Sequence, residues 1–488
     1  MKTIVEKLFE NADRYPDKLA VIFEGEEVSY GGLQDAVIRL ASWFKLQGVS
    51  VGDRIIVQAA FCKWYFAACY AAHLCSAIFV PVEKTLTQET LHSVIQRMGA
   101  KAVVSNFMPG GAASLRYQDM DGVLSGIEEL PCGFPAGDST AQILFTSGTT
   151  GPQKGAMLTH RNLAANSLAT SCGIGISWDD VGMTFMPLNH TASLRRLEAA
   201  LYNGGTYIFL DGMMSIGTFY RFMAEYHVTS LYLAPSGIAA LERLSKDKLH
   251  DYADRIGYVY TIGALMQESQ RDFLLRMLPR SKLFCAYGSS ENGTVSMYRY
   301  DRDRKDIRCA GRPCEGVDIR ILDDGLNELP RGEQGRVAIR SDMNCKGYWG
   351  MPELTESSCH KGYFLTNDAG YLDEDGFLYI LGRFDDLINI GGLKVYPSEI
   401  EDVALEIKGV EECICFDVPN TLTGSAVKLL IKQKTGAGLD VREIRNALTG
   451  KLDTYKIPAS IEFVTEIVKT PSGKPDRKYY RKQEGTKQ

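Results

Sequence analysis

The chain has 488 residues, of which 45% are hydrophobic and 23% are charged, and its formal net charge is −6. This composition is typical of globular proteins and excludes disorder, collagen, coiled coil and a small disulfide scaffold as descriptions of the whole chain. A broad surface for nucleic acid or anionic membrane would need the opposite sign of charge, so neither partner is expected.

The cysteines and the most apolar window give further limits. Twelve cysteines are dispersed without a C-x-x-C pair, which predicts reduced thiols in a cytoplasmic protein. The most apolar window, residues 64–82, contains His73 and Pro81 and changes midway from Ala-rich to β-branched. It predicts a buried helix that runs into a buried strand rather than a membrane span. The first 20 residues are too rich in charge for a signal peptide.

Predicted strands and helices alternate through the first 270 residues. A hairpin is predicted from Leu19–Phe23 and residues 28–30, and a helix with apolar spacing between Leu33 and Phe44 should end at Gly48. Further strands are predicted as follows, with helices between them: 54–57, 77–80 and 102–105. This rhythm predicts α/β layers with largely parallel strands.

A loop rich in Pro, Gly and Ser is predicted at residues 131–140, and the pattern changes after Cys309. Short strands separated by glycine turns are then predicted: 317–322, 335–340 and 377–380. The last hundred residues alternate strand and helix again. The predicted fold class is therefore α/β, with a large N-terminal portion at 1–384 that includes a small β-rich subdomain at about 310–384. A small α+β C-terminal domain is predicted at 385–488.

A Gly-rich loop lies at residues 142–159, QILFTSGTTGPQKGAMLT. An apolar strand leads into unshielded backbone N–H groups, hydroxyls and one ammonium, which are the groups that bind a polyphosphate. They belong to Thr146, Ser147, Gly148, Thr149, Thr150, Gly151 and Lys154. The spacing is not that of G-x-x-x-x-G-K-[ST], and no G-x-G-x-x-G fingerprint occurs in the sequence. Taken alone, the loop could equally be a flexible surface loop.

The complete string resembles the phosphate-binding signature of the adenylate-forming superfamily, which includes acyl-CoA synthetases, adenylation domains of peptide synthetases and firefly luciferase. Other family motifs follow in order: AYGSSE at 286–291, YFLTND at 363–368, GRFDDLINIGGLKVYPSEIE at 382–401, TYKIP at 454–458 and PSGK at 471–474. The similarity extends from about residue 4 to residue 480. It implies a reaction in two halves: a carboxylate attacks the α-phosphorus of ATP to give an acyl-adenylate and pyrophosphate, and a thiol then displaces AMP.

The resemblance also implies roles for individual residues. The Gly-rich loop would hold the β- and γ-phosphates, and Lys474 would bridge the attacking carboxylate and the α-phosphate; Thr149, Lys154, Glu291 and Lys474 are the implied catalytic group. Glu291 would help to hold Mg²⁺, since a hard cation prefers carboxylate oxygen. The remaining implied contacts are with the nucleotide: Tyr287 and Gly263-Ala264 on the two faces of adenine, Gly288 and Ser290 beside Tyr287, and Asp368 with Arg383 at the ribose.

The same resemblance implies that the C-terminal domain is a mobile lid. Asp385 matches the hinge position, and rotation would exchange Lys474 for a loop in which Gly391 and Gly392 line a channel for the thiol. Two departures from the motifs are modest. Ser290 replaces the usual Thr and keeps a hydroxyl, and Asn367 replaces Gly, which is tolerable if the backbone needs a positive φ.

The sequence gives less information about the acid substrate than about the nucleotide. The implied pocket residues are His190, Ser193, Leu194, Pro235 and Ser236, and His190 could equally be a buried residue without a catalytic duty. The Asp that binds an α-ammonium in peptide-synthetase domains is absent from PLNHTAS, residues 187–193, which favours an aliphatic or aryl acid over an amino acid. Arg195 and Arg196 could pair with an anionic group on the acid, but a solvated helix face beside Glu198 is the favoured interpretation.

The first functional hypothesis is a stand-alone carboxylic acid–CoA ligase that uses ATP and Mg²⁺. A stand-alone enzyme that loads an acid onto the phosphopantetheine of a separate carrier protein is the alternative, because both thiols end in the same group. A luciferase-like oxygenase is remote. A non-catalytic nucleotide-binding scaffold would lack Lys474, Glu291 or Asp368, and all three are present.

Overall fold

The computed structural model describes residues 1–485 except 24, 147–153, 187, 189–190, 213–214, 264–265, 307, 392 and 470–474, with the backbone alone for Thr146. The α-helices are α1 Ile4–Arg14, α2 Tyr30–Leu46, α3 Lys63–Leu74, α4 Gln88–Met98, α5 Met120–Leu124, α6 His160–Ile174, α7 Thr191–Tyr202, α8 Ile216–Glu225, α9 Pro235–Ser245, α10 Glu268–Met277, α11 Tyr300–Asp303, α12 Pro352–Ser357, α13 Pro397–Leu405, α14 Val441–Thr449 and α15 Arg477–Gly485. Short 3₁₀ turns lie at Tyr117–Asp119, Lys248–Tyr252, Phe384–Asp386 and Thr454–Lys456.

The strands are short, as expected where glycine turns and helices interrupt them. They are β1 Leu19–Phe23, β2 Glu26–Ser29, β3 Arg54–Gln58, β4 Ile78–Val82, β5 Ala102–Ser105, β6 Ala113–Arg116, β7 Thr140–Thr146, β8 Lys154–Thr159, β9 Val181–Thr184, β10 Thr206–Phe209, β11 Ser230–Tyr232, β12 Tyr258–Ile262, β13 Lys282–Ser289, β14 Gly293–Arg299, β15 Cys309–Pro313, β16 Asp318–Leu322, β17 Gly335–Arg340, β18 Gly347–Tyr348, β19 Cys359–His360, β20 Tyr363–Leu372, β21 Leu378–Arg383, β22 Ile388–Ile390, β23 Leu393–Val395, β24 Val410–Asn420, β25 Gly424–Gln433 and β26 Ser460–Phe463.

The chain forms two compact units. The first comprises Met1–Thr146, Gly155–Ile319 and Ile339–Phe364, and the second includes Arg320–Ala338 and Leu365–Gln488. Parts of the predicted β-rich subdomain therefore belong to the same compact unit as the C-terminal residues. The predicted domain boundary at residue 385 coincides with the predicted hinge, and it stays a prediction.

Two sheets organise the first unit. One has the order β15-β14-β13-β12-β11-β9-β10-β1-β2, in which the strands from β13 to β1 are parallel. The other has the order β18-β8-β7-β4-β3-β5-β6. Its central strands are buried on both faces, as parallel strands covered by helices must be, which explains their near-continuous apolar runs.

The apolar window at residues 64–82 forms helix α3 followed by strand β4, as the change of composition predicts. Every residue of α3 from Trp64 to Leu74 is buried, because the helix is apolar on all sides and packs within the main core. No helix among the described residues is long and apolar enough to cross a membrane.

The second unit is α+β. Strands β16, β17, β20 and β21 follow one another in one sheet, and β20 and β21 are antiparallel. Strands β24, β25 and β26 form a second sheet, whose apolar face packs with α13 and α14 around a separate core. The predicted fold class, an α/β protein with a large N-terminal portion and a smaller C-terminal α+β domain, is confirmed.

Candidate active site

The carboxyl ends of parallel strands in the first unit bring several predicted residues to one sheet edge. Strand β12 ends at Ile262, immediately before Gly263, and its neighbour β13 carries Tyr287 one residue beyond the pair Ile262 and Ala286. Gly263 has a φ of +97°, which favours glycine, and a Cβ there would meet nothing within 4 Å. Strand β11 ends on the same edge and leads directly to Pro235 and the exposed Ser236 at the start of α9. Ala264 lies outside the described residues.

The start of the turn after β13 requires glycine at position 288. The pairing of β13 with β14 shifts between Tyr287 and Gly288, and a Cβ on Gly288 would come within 1.9 Å of the Gly293 carbonyl oxygen. Within the turn, the Glu291 backbone N–H donates to the Ser289 hydroxyl at 3.2 Å. Such a hydroxyl-to-backbone bond closes a tight turn and fixes the direction of the next side chain.

Glu291 is held from outside this turn as well. Its side-chain Oε1 accepts a hydrogen bond from the Tyr348 hydroxyl at 3.0 Å, and its carbonyl oxygen accepts one from the Cys345 N–H at 2.6 Å. The neighbouring Asn292 donates to the Asn344 side chain at 3.0 Å. Sequence reasoning missed Tyr348, because a lone tyrosine after a glycine carries no signal of the carboxylate 57 positions away.

Helix α7 approaches the same turn through its first residue. The hydroxyls of Thr191 and Ser290 are 2.8 Å apart, so the hydroxyl kept at position 290 is used within the protein. Ser193 and Leu194, two of the predicted pocket residues, are buried on α7. His190 lies outside the described residues.

The predicted phosphate-binding loop connects two neighbouring strands of the second sheet, β7 and β8. Thr146 is the last residue of β7 and Lys154 is the first of β8. Gly155 is required by packing, since a Cβ there would lie 2.8 Å from the Ile143 side chain. Ser147, Gly148, Thr149, Thr150 and Gly151 lie outside the described residues.

In the second unit, the antiparallel register pairs Asp368 on β20 with Arg383 on β21. The Arg383 Nε and the Asp368 Oδ1 are 3.5 Å apart, so the two predicted ribose residues are neighbours. Arg383 is half exposed. Because the Arg383 side chain remains half exposed at this distance, the pair adds little stability and the guanidinium can also contact another partner.

Asn367 has a different role from the one considered for it. It lies in the extended strand β20, so no positive φ is required there. Its side-chain amide instead donates to the carboxylate of Asp385, the predicted hinge residue, at 2.5 Å. Of the predicted thiol-channel residues, Gly391 donates its N–H to the Thr423 carbonyl oxygen at 3.1 Å. Gly392 and Lys474 lie outside the described residues.

The solvated helix face expected for Arg195 and Arg196 is wrong. Both side chains are buried, at 6% and 3% exposure, because α7 packs between the two sheets. Arg195 pairs with Glu198 at 3.4 Å, and Glu198 in turn accepts a hydrogen bond from Gln142 of β7 at 2.6 Å. Burial raises the pKa of Glu198 and lowers the pKa of Arg195, so each charge depends on the other.

Arg196 faces the opposite end of the large sheet from the predicted pocket. It pairs with Asp180 at 3.6 Å and also donates to the Tyr258 hydroxyl. Asp180 precedes β9 and Tyr258 begins β12, whereas Gly263 follows the carboxyl end of β12. Five residues of extended strand separate these ends by about 16 Å. Arg196 is therefore a buried structural cation.

Comparison with known proteins finds family matches over most of the chain. A family model described as AMP-binding enzyme matches residues 8–349, and a second, described as AMP-binding enzyme C-terminal domain, matches residues 399–474. Together they match well over half of the chain. The chain belongs to the family of AMP-binding enzymes. The resemblance drawn from the sequence motifs is thus confirmed.

Individual relatives of this AMP-binding enzyme are similar over nearly their whole length. A feruloyl-CoA synthase of Amycolatopsis is 29% identical over 94% of both chains, and a long-chain-fatty-acid–CoA ligase of Bacillus subtilis is 25% identical over 97% of this chain and 93% of the relative. Among solved structures, ATP-bound MatB from Rhodopseudomonas palustris is 28% identical, with a TM-score of 0.90 over 99% of this chain and 98% of that one. The activity is that of an AMP-forming acid–CoA ligase.

Replacing Arg196 by lysine in this AMP-binding enzyme should lower the free energy of unfolding by about 1.5–3 kcal/mol, because the compact ammonium of lysine does not reproduce the planar, spread donors with which the guanidinium contacts Asp180 and Tyr258. Urea denaturation followed by near-ultraviolet circular dichroism measures the loss. Arg221→Lys is the matched control, since Arg221 forms an exposed pair with Glu225 on α8 and should change stability by less than about 0.5 kcal/mol. Equal effects of the two substitutions would contradict a structural role for Arg196.

Proposed function

We propose that this enzyme activates an aliphatic or aryl carboxylic acid as its acyl-adenylate and transfers the acyl group to the thiol of CoA. The observation that carries the proposal is the parallel pairing that brings Gly263 and Tyr287 to one sheet edge, followed along the chain by the turn in which the carboxylate of Glu291 is held by Tyr348. ATP-bound MatB and feruloyl-CoA synthase, whose names include the nucleotide and the acceptor, support ATP and CoA as the co-substrates.

The donor set suits Mg²⁺ held jointly by protein and nucleotide. No cluster of three or more His, Cys, Asp or Glu that could hold a metal occurs among the described residues. One carboxylate with phosphate oxygens and water is a usual set for Mg²⁺, and Glu291 offers such a carboxylate. Its Oε1 is occupied by Tyr348, while within the described ranges no side chain donates to its Oε2. Bound there, Mg²⁺ would neutralise charge on the phosphates as pyrophosphate leaves.

Each group of residues has a defined part in this proposal. Tyr287 and Gly263 flank the adenine, and Asp368, assisted by Arg383, accepts hydrogen bonds from the ribose hydroxyls. The hydroxyls and N–H groups from Thr146 to Gly151, with Lys154, bind the β- and γ-phosphates. Lys474 aligns the acid carboxylate with the α-phosphate, and Gly391 and Gly392 line the thiol path in the second half. Since two anions must meet, alignment and charge neutralisation supply most of the rate enhancement.

We propose that the rest of the acid is uncharged. Arg195 and Arg196 already have protein carboxylates as counter-charges, Glu198 and Asp180. Desolvating an additional unpaired carboxylate beside them would be unfavourable. An acid with an aliphatic chain or an aromatic ring instead suits a pocket edge that includes Leu194 and Pro235.

Acid-dependent exchange of labelled pyrophosphate into ATP, measured over a panel of aliphatic, aryl, dicarboxylic and amino acids, tests this function. Exchange should require an acid and should favour the uncharged aliphatic or aryl chains. Glu291→Ala should abolish it, whereas the control Glu353→Ala, which removes an exposed carboxylate on α12, should not. Exchange without any acid would contradict the ligase. Parallel trapping with CoA and with a phosphopantetheine-bearing carrier protein then measures whether a carrier-bound thiol is also acylated.

A further inference from the structure

Strand β18 connects two parts of the proposed site. Its residues pair antiparallel with β8, Gly347 opposite Met157 and Tyr348 opposite Ala156. Backbone bonds on both sides extend the pairing: the Lys346 N–H donates to the Met157 carbonyl and the Trp349 N–H donates to the Gly155 carbonyl, each at 2.8 Å. Strand β8 is the strand that follows the predicted phosphate-binding loop. The backbone of Tyr348 is thus in fixed register with the strand that leaves that loop.

The side chain of Tyr348 contacts the second part of the proposed site, which is the carboxylate of Glu291. Its hydroxyl donates to Glu291 Oε1 at 3.0 Å, and its ring is buried, with Phe364 nearby at 6.4 Å between ring centres. A buried ring with two side-chain torsions holds its hydroxyl in one place at little entropic cost. One residue therefore joins β8 through its backbone and the proposed metal-binding carboxylate through its side chain.

The backbone around Tyr348 is itself fixed. The Tyr348 N–H donates to the Thr355 hydroxyl at 2.9 Å. Gly347 has a φ of +136°, and a Cβ there would lie 2.2 Å from the Thr355 methyl group, so the strand closes onto α12 at a position that only glycine fits. The Cys345 N–H to Glu291 carbonyl bond joins the same segment to the turn after β13.

This arrangement fixes the distance between the carboxylate of Glu291 and strand β8, which follows the predicted phosphate-binding loop. Groups that hydrogen-bond a metal-binding carboxylate orient it, and their loss typically reduces metal affinity or activity 10–100-fold. We propose that Tyr348 is a positioning residue for adenylate formation, which holds Glu291 in register with β8 so that metal and phosphates are bound at a fixed spacing. The inference rests on the proposed function and adds a residue to it.

Tyr348→Phe tests the inference, because it removes the hydroxyl and keeps the ring. The Mg²⁺ concentration needed for half-maximal pyrophosphate exchange should rise about 10-fold or more. Calorimetry provides a readout independent of turnover: ATP binding in EDTA should be unchanged, and the Mg²⁺-dependent part of ATP affinity should weaken to a similar degree. Tyr30→Phe is the matched control, since Tyr30 is buried and its hydroxyl donates to the Gly205 carbonyl at 2.7 Å. It should leave the Mg²⁺ dependence unchanged.

A double-mutant cycle with Glu291→Gln separates positioning from general packing. If Tyr348 acts through Glu291, Tyr348→Phe should have almost no further effect on the Mg²⁺-dependent part of ATP affinity, measured by calorimetry, in the Glu291→Gln background. The inference is overturned if the phenylalanine variant behaves as the wild type, or if its effect is the same in both backgrounds. Should Tyr348→Phe fold poorly, Tyr348→Leu, which also removes the hydroxyl without overpacking the buried site, distinguishes the same two outcomes in the same cycle. A wild-type protein without acid-dependent exchange would reject the proposed function instead.

Discussion

Lys474→Ala is expected to slow adenylate formation about 10²–10³-fold, the usual loss when one donor to a developing charge is removed. The ammonium of Lys474 would contact both the attacking carboxylate and the α-phosphate, so its contribution is greatest where the two anions approach. Thiolysis of preformed acyl-adenylate should continue at close to its normal rate, since the proposed function assigns that half of the reaction to the loop at Gly391 and Gly392.

The residues that flank Lys474 give this expectation a structural basis. The Asp476 N–H donates to the Val468 carbonyl at 2.9 Å, which joins the two ends of the segment that carries the lysine. Arg477 follows at once and pairs with Asp386, one position after the predicted hinge, at 3.2 Å. It also donates to Glu401 of α13 and to the Cys415 carbonyl of β24. Arg477, which follows the segment that carries Lys474, thus contacts three elements of the second unit.

Single-turnover measurements of the two halves check the prediction. Adenylate formation is followed with labelled ATP, and thiolysis is followed by adding CoA to chemically prepared acyl-adenylate. Lys478→Ala is the control, because Lys478 is an exposed lysine on α15 and both halves should be unaffected by its loss. A uniform loss in both halves, at unchanged melting temperature, would mean that Lys474 has another role.

Local patterns in the sequence were sufficient for the elements that depend on neighbouring residues. The alternation of apolar runs and glycine turns predicts β3, β4 and β5 to within a residue or two, and the uniformly apolar window predicts the buried helix α3. The resemblance to adenylate-forming enzymes implied that Gly263 and Tyr287 lie together, and the parallel pairing of β12 with β13 brings the two positions to one sheet edge.

Contacts between distant parts of the chain could not be predicted in this way. The helical pattern around Arg196 predicts a charge on the protein surface. Its burial depends on contacts with Asp180 and with Tyr258, which lies 62 positions further along the chain. The bond from Asn367 to Asp385 is equally invisible, since it depends on the register of β20 with β21. Sequence patterns report which groups are present, whereas tertiary register decides which of them share a partner.

Asp385→Pro is expected to leave adenylate formation within a few-fold of normal and to abolish thioester formation. Asp385 lies in the 3₁₀ turn Phe384–Asp386, and proline fixes φ near −65°, within the range of such a turn. The substitution therefore permits the turn but prevents the large φ/ψ change that a hinge at this residue must make. Without that change, the proposed exchange of Lys474 for the loop at Gly391 would not occur.

Asp385→Ala separates the hinge from the carboxylate. It removes the same charge and the same bond from Asn367, yet leaves φ free, so thioester formation should persist within about 10-fold of the wild type, the scale of one lost hydrogen bond to a charged group. Steady-state release of AMP with CoA, set beside pyrophosphate exchange, measures both halves in each variant. If Asp385→Ala abolishes thioester formation as fully as Asp385→Pro does, then thioester formation depends on the carboxylate of Asp385 and the hinge assignment fails. If proline alone abolishes it, the backbone at residue 385 must rotate for the second half of the reaction.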